Sequence, residues 1–121
     1  MSKNLVFTSL LLFCASSFAG DKAAGEKVFK QINCAMCHNK DGMGKAKNGK
    51  LSILKAPRIA GLNEAYIVSQ ITDIQSQKRK TKFTSMMYSK VKKLSKEDIA
   101  NVAAYVSSLS KDKAKALPRV I

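Results

Sequence analysis

The stretch from Cys34 to His38 reads Cys-Ala-Met-Cys-His and brings together two thiols and the only histidine among the 121 residues of the chain. Thiols and an imidazole at this spacing can bind a metal ion, exchange disulfides or hold a prosthetic group. Which of these chemistries applies depends on the remaining candidate ligands and on the elements that surround the motif.

Two of the three interpretations, a zinc site and a redox pair, do not fit the rest of the sequence. A structural zinc site takes four ligands, usually Cys and His, and the one further candidate, Cys14, lies in a predicted signal peptide. A thioredoxin-like redox pair belongs beside a βαβ unit, and this chain shows no strand pattern. Cys-x-x-Cys-His is the attachment motif of c-type haem, because two thiols at this spacing reach both vinyl groups of one porphyrin and the next residue ligates the iron. The motif predicts one covalent haem c, with Cys34 and Cys37 as tethers and His38 as proximal ligand.

Residues 1–19 have the pattern of a secretory signal peptide. Lys3 precedes an apolar run, and small residues follow at positions 17 and 19, so cleavage is expected after Ala19 or after Gly20. The run is shorter than the roughly 20 residues that span a bilayer, which argues against stable membrane insertion. The domain is therefore expected to cover residues 20–121 and to work in the periplasm, which agrees with haem attachment outside the cytoplasm.

The charge of the chain is strongly positive, with 22 Lys and Arg against 8 Asp and Glu and a formal net charge of +14. Such a surface favours acidic partners. We do not expect nucleic acid as a partner, because an exported chain seldom meets it and no base-reading motif is present. Two basic runs, residues 45–50 and 78–82, are expected to flank the exposed haem edge and to orient acidic redox partners; the alternative is a solvated basic surface.

Three segments have the apolar spacing of helices. The first follows the N-cap Asp21, the second opens at Asn63, and the third starts at a capping box formed by Ser95 and Asp98. Their apolar faces comprise Ala24, Val28 and Ile32; Ile67, Ile71 and Ile74; and Ile99, Val102, Ala103, Val106 and Leu109. No segment alternates with a period of two, so the fold is predicted to be all-α, with three main helices around one haem. The tail, residues 111–121, is expected to be loosely attached.

The chain resembles the small bacterial class I cytochromes c. The similarity covers residues 21–109 and includes AAGEKVFKQINCAMCH, APRIAGLNEAYIVSQITDI and MMYSKVKKLSKEDIANVAAYVSSL. In that family a methionine upstream of the last helix is the sixth iron ligand, commonly seven residues before the leucine that precedes this helix, here Leu94. The resemblance implies Met87 as the distal ligand, in a loop, with Met86 as the alternative.

Two further features follow from the resemblance. The backbone carbonyl of Pro57 is expected to accept a hydrogen bond from His38, which would fix the imidazole and strengthen it as a donor; the alternative is that the proline only stiffens a loop. Gly25 and Phe29 are expected to face Tyr105 where the first and last helices cross. Both features concern how the haem pocket is held together.

The function implied is that of a monomeric periplasmic single-electron carrier, not that of an enzyme. The carrier is expected to exchange electrons with membrane-bound or periplasmic redox proteins whose docking surfaces are acidic. One alternative is a haem enzyme or gas-binding protein with an open sixth position. Another is a dedicated electron-transfer subunit of one redox complex. The methionine pair argues against an open position, and the one histidine is already assigned, which leaves no acid/base pair at the iron.

Overall fold

The structure, a computed structural model, describes residues 19–44 and 56–110 together with the backbone of residues 46–47 and 50–51. Within these ranges the chain forms five helices and two very short strands. The elements in chain order are α1 (Lys22–Gln31), α2 (Ala35–His38), β1 (Ala46–Lys47), β2 (Lys50–Leu51), α3 (Glu64–Gln75), α4 (Thr84–Val91) and α5 (Lys96–Ser108). The predicted tail and residues 1–18 of the predicted signal peptide lie outside the described residues.

The crossing of α1 and α5 brings the two ends of the domain together. The side chain of Asp21 caps α1 by accepting a hydrogen bond from the Ala24 amide at 2.8 Å, as the sequence predicted. The backbone amide of Asp21 in turn donates to Oδ1 of Asn101, a buried residue of α5, at 2.8 Å. A hydrogen bond over 80 positions of sequence therefore fixes the start of α1 on α5.

The close approach of these two helices depends on Gly25. A Cβ atom at this position would lie 1.9 Å from the backbone oxygen of Asn101 and 2.9 Å from Cβ of Tyr105. One turn further along α1, the ring of Phe29 meets that of Tyr105 edge to face, with centroids 5.3 Å apart and an interplanar angle of 66°. The predicted contact of Gly25 and Phe29 with Tyr105 is confirmed.

The remaining predicted caps are also present. Asn63 caps α3 by accepting from the Tyr66 amide at 3.3 Å. Ser95 and Asp98 form the reciprocal capping box of α5, in which each side chain accepts from the other residue's backbone amide. Local sequence signals thus place the starts of all three longer helices correctly.

Helix α4 contradicts the prediction that Met86 and Met87 lie in a loop. Both residues lie within this eight-residue helix. Its apolar residues follow the helical period only weakly, and its N-cap residue, Phe83, makes no capping hydrogen bond with its side chain. No local sequence signal therefore predicts this helix. The buried hydroxyl of Thr84 accepts from the Thr81 amide at 2.7 Å and donates to the Thr81 carbonyl at 3.1 Å, which holds the first turn.

One apolar core joins α1, α3, α4 and α5. Its buried members are Val28, Phe29, Leu62, Ile67, Ile71, Ile74, Val91, Ile99, Val102, Ala103 and Val106. Strands β1 and β2 pair antiparallel over two residues each, a feature that the sequence analysis did not predict, and the fold remains all-α. No helix among the described residues is long and apolar enough to cross a membrane.

Candidate functional site

The Cys-x-x-Cys-His motif lies on a single helical turn directly after α1. Cys34 precedes α2, and its carbonyl accepts the amides of Cys37 at 3.3 Å and His38 at 3.0 Å. Asn33 and Asn39 flank the turn with positive φ angles of 57° and 68°, a conformation that asparagine tolerates better than most residues. The backbone therefore turns sharply on both sides of the motif and holds its three side chains on one short element.

His38 is buried and oriented by a backbone carbonyl. Its Nδ1 lies 2.9 Å from the carbonyl oxygen of Pro57, and because that oxygen only accepts, Nδ1 carries the proton. Burial lowers the pKa of His38, and the hydrogen bond to Pro57 partly offsets this effect. The neutral form that results has a free electron pair on Nε2, which bonds to no other residue in the described part of the chain. This is the protonation state that an iron ligand needs.

The position of Pro57 depends on the loop after the motif. The Gly44 amide donates to the His38 carbonyl at 2.9 Å, and Gly44 has a φ of 79°. A Cβ atom at Gly44 would lie 2.8 Å from the Ala56 carbonyl oxygen and 3.1 Å from the Pro57 carbonyl carbon. The absence of a side chain at Gly44 therefore lets the segment that contains Pro57 pass close to the loop that follows His38.

A second set of hydrogen bonds fixes the same loop from its other end. The carbonyl of Gly42 accepts the amides of Ile59 at 2.8 Å and Ala60 at 2.9 Å. Arg58 donates from Nε to the Ala60 carbonyl at 3.1 Å and from a terminal nitrogen to Ser110 at 3.2 Å, just beyond α5. These roles of the glycines were not predicted, although a Gly-x-Gly pattern soon after the histidine was a visible signal.

Cys34 and Cys37 are half-buried, and neither is part of a disulfide. Burial raises the pKa of the Cys34 thiol to about 11, a rise that Cys37 increases and the positive charge of Lys90 opposes. A structural zinc site takes four ligands, and the described residues contain no group of three or more His, Cys, Asp or Glu that could hold a metal ion.

The two methionines of α4 differ in their surroundings. Met87 is partly buried and packs against the core, whereas half of the surface of Met86 is exposed (50%). Met87 and Cys34 both pack against the same apolar core. Met36 and Met43 are 42% and 44% exposed. The structure thus sets Met87 apart from the other methionines as the one on the core side of α4.

The basic run at residues 78–82 lies between α3 and α4 and is exposed throughout. Arg79 also donates to Oε1 of Gln70 on α3 at 3.0 Å. The other predicted basic run, residues 45–50, lies outside the residues whose side chains are described. The run at residues 78–82 therefore forms an exposed, positively charged surface directly before α4, the helix that contains Met86 and Met87.

The residues of this site fit a covalent haem c. A buried imidazole with one nitrogen bonded and the other unpartnered could supply an axial donor, and two thiols on the same turn could supply the tethers. Met87 could supply a thioether from a separate helix. This donor set matches a haem better than any metal ion bound directly by the protein.

Comparison with known proteins agrees with this fit. The family model described as Cytochrome c matches residues 22–110. The chain is 38% identical to cytochrome c-554(548) of Halomonas halodenitrificans over 74% of this chain and 98% of that protein. It is 33% identical to cytochrome c4 of Pseudomonas aeruginosa over 98% of this chain and 55% of that protein. The chain thus spans about half the length of the cytochromes c4 that it matches.

Solved structures give the same result. The cytochrome c4 structure of Acidithiobacillus ferrooxidans, described as supporting a complex-induced tuning of electron transfer, superimposes with a TM-score of 0.59 at 26% identity. The match covers 77% of this chain and 52% of that one. The predicted all-α class I cytochrome c fold is confirmed, and the cofactor is haem c, bound covalently. With its family match over residues 22–110 and these relatives, the chain belongs to the cytochrome c family as a small bacterial class I member.

Proposed function

We propose that this protein is a periplasmic single-electron carrier, and not an enzyme, whose haem iron is ligated by His38 and Met87. The observation that carries the proposal is the buried His38, with Nδ1 bonded to Pro57 and Nε2 left for the iron. When bound, haem c supplies an iron that changes between the ferric and ferrous states by single electrons.

The residues of the chain have separate tasks in this proposal. Cys34 and Cys37 hold the ring edge by thioether bonds, and Pro57 orients the imidazole and strengthens it as a donor. Met87 supplies a soft thioether, which favours ferrous iron and raises the reduction potential. The core residues of α1, α3 and α5 exclude water from the site. A carrier of this kind needs no acid/base group, and His38 is the only histidine of the chain.

Partner recognition in this proposal rests on charge. Lys78, Lys80 and Lys82 are exposed beside α4, and the chain has a formal net charge of +14. We expect acidic redox proteins as donor and acceptor, with the positive surface increasing the association rate more than the affinity. The pattern of residues 1–19 supports export to the periplasm, and the carrier is proposed to act as a monomer.

Two alternatives make different predictions. A haem enzyme or gas-binding protein would leave the sixth position open, and the core-side location of Met87 argues against this. A dedicated subunit of one redox complex would have the same iron ligands but would purify with its enzyme. This second alternative is consistent with the sequence match, which covers only about half of each cytochrome c4.

The test is the absorption spectrum of the protein, matured in a periplasm with its haem-attachment machinery, reduced, and recorded with and without carbon monoxide. An unchanged low-spin spectrum is expected, because Met87 closes the sixth position. A variant in which both Met86 and Met87 are replaced by glycine is the positive control and should bind the gas at once. A prompt spectral shift in the unaltered protein would instead show an open site and contradict the proposal.

A further inference from the structure

Helix α4 depends on contacts from outside itself. With eight residues it is well below the length at which an isolated helix is stable in water. Its N-cap residue, Phe83, makes no capping hydrogen bond with its side chain, and its first turn is held by the Thr84 hydroxyl on the backbone of Thr81. Whatever holds its C-terminal turn against the rest of the domain therefore also controls where the side chain of Met87 lies, one helical turn earlier.

Gln75, the last residue of α3, makes that contact. Its side-chain Nε2 donates to the carbonyl of Val91, the last residue of α4, at 3.0 Å and to the carbonyl of Leu94 at 2.8 Å. Carbonyls at the end of a helix have no partner within the helix. The Val91 carbonyl also accepts the Leu94 amide at 3.0 Å, so the Gln75 side chain is its second donor. Val91 is 2% exposed, so water is a poor substitute for the Gln75 side chain, which joins two carbonyls of the segment that follows Met87.

We infer that Gln75 is a positioning residue that keeps α4 docked on α3 and thereby holds the distal methionine at the iron. The inference rests on the proposed ligation by His38 and Met87. In wild-type protein, opening of the sixth position requires α4 to move away from α3, which breaks both hydrogen bonds from Gln75. Without these two hydrogen bonds, the sixth position should open more easily. The proximal side, where Pro57 holds His38, is unaffected.

The sharpest variant is Gln75→Glu, which keeps the size of the side chain but replaces the amide donor by a carboxylate that only accepts hydrogen bonds. The carboxylate would face two carbonyls at the negative end of a helix dipole. Gln75→Leu removes the donors without adding charge. The matched control is Gln70→Glu on the same helix, because Gln70 bonds through its side-chain oxygen to Arg79 and does not reach α4.

The experiment measures carbon monoxide binding to the reduced haem protein and the iron–sulfur absorption band of the oxidised protein. We expect Gln75→Glu and Gln75→Leu to bind carbon monoxide with an apparent affinity at least about tenfold higher than wild type. Their iron–sulfur band should weaken, and amide hydrogens of α4 should exchange faster than those of α5. Gln70→Glu should match wild type in all three measurements.

The outcomes separate this inference from the proposed function. If wild-type protein lacks the iron–sulfur band or binds carbon monoxide promptly, the methionine ligation is wrong and the inference fails with it. If wild-type protein is closed and both Gln75 variants are equally closed, the ligation stands and the role of Gln75 is refuted. Equal opening in Gln70→Glu would also refute it, since a general loss of stability in α3 would then explain the effect.

Discussion

The carbonyl oxygen of Pro57 lies 2.9 Å from Nδ1 of His38, across 19 positions of sequence. The contact fixes the tautomer of the imidazole and turns Nε2 towards the face where the iron is proposed to bind. Neither residue creates the contact alone. It requires the loop at Gly42 and Gly44 to bring the chain around Pro57 behind the histidine.

Replacing Gly44 by alanine should disturb this hydrogen bond. The new Cβ would meet the Ala56 carbonyl oxygen and the Pro57 carbonyl carbon, and φ is 79°. We expect a loss of about 1 kcal/mol or more in the free energy of unfolding. The reduction potential should rise, because an imidazole without its hydrogen bond is a weaker donor and stabilises ferric iron less. Urea unfolding and redox titration measure the two effects.

Gly42→Ala is the matched control for this prediction. Its φ of 67° imposes the same kind of backbone strain, but the added Cβ would meet Ala60 and Leu109 rather than Pro57. A similar loss of stability with a smaller shift of the reduction potential is expected, because the Gly42 carbonyl holds the chain at Ile59 and Ala60, beyond Pro57. Equal shifts of potential in the two variants would show that loop strain, and not the hydrogen bond from His38 to Pro57, sets the potential.

The choice of distal ligand can be tested by single replacements. Met87→Ala should abolish the iron–sulfur absorption band, because its side chain lies on the core side of α4. Met86→Ala should keep the band, because its side chain is 50% exposed. Spectra of the two oxidised variants, compared with wild type, decide the point. Retention of the band in Met87→Ala together with its loss in Met86→Ala would transfer the ligand role to Met86.

Stability should depend strongly on the crossing of α1 and α5. Gly25→Ala places a Cβ 1.9 Å from the Asn101 carbonyl oxygen, so the helices must separate. We expect a destabilisation of about 3 kcal/mol, at the upper end of overpacking effects. Ala23→Leu, at an exposed position of the same helix, should change stability by less than about 0.5 kcal/mol. Urea unfolding that found Gly25→Ala as stable as wild type would contradict the close approach.

The exposed lysines beside α4 should control association with acidic redox partners. Lys80→Glu with Lys82→Glu should lower the rate of electron transfer to an acidic protein by about tenfold or more at low salt, since steering is lost. Lys22→Glu with Lys27→Glu on α1 makes the same change in net charge at exposed positions and should have a smaller effect. Stopped-flow rates measured against salt concentration provide the comparison. A rate that does not fall with added salt would rule out charge-guided docking.

The sequence by itself determined the features that depend on short spacings. The Cys-x-x-Cys-His motif predicted the cofactor because its chemistry lies within five consecutive residues. The caps at Asp21, Asn63 and Ser95 predicted the starts of three helices because a capping side chain bonds to an amide only three positions away. The apolar faces followed from helical periodicity.

Only the tertiary structure decided the features that depend on contacts between distant segments. Helix α4 has too few residues and too weak a pattern to be recognised locally, and it is held by Thr81 on one side and Gln75 on the other. The role of Gln75 was hidden for the same reason, and the Gly-x-Gly pattern at Gly44 did not show which segment passes close to it. A hydrogen bond or a close approach across many residues forms only when the core has set the distance, and residue types and spacing along the chain do not contain that distance.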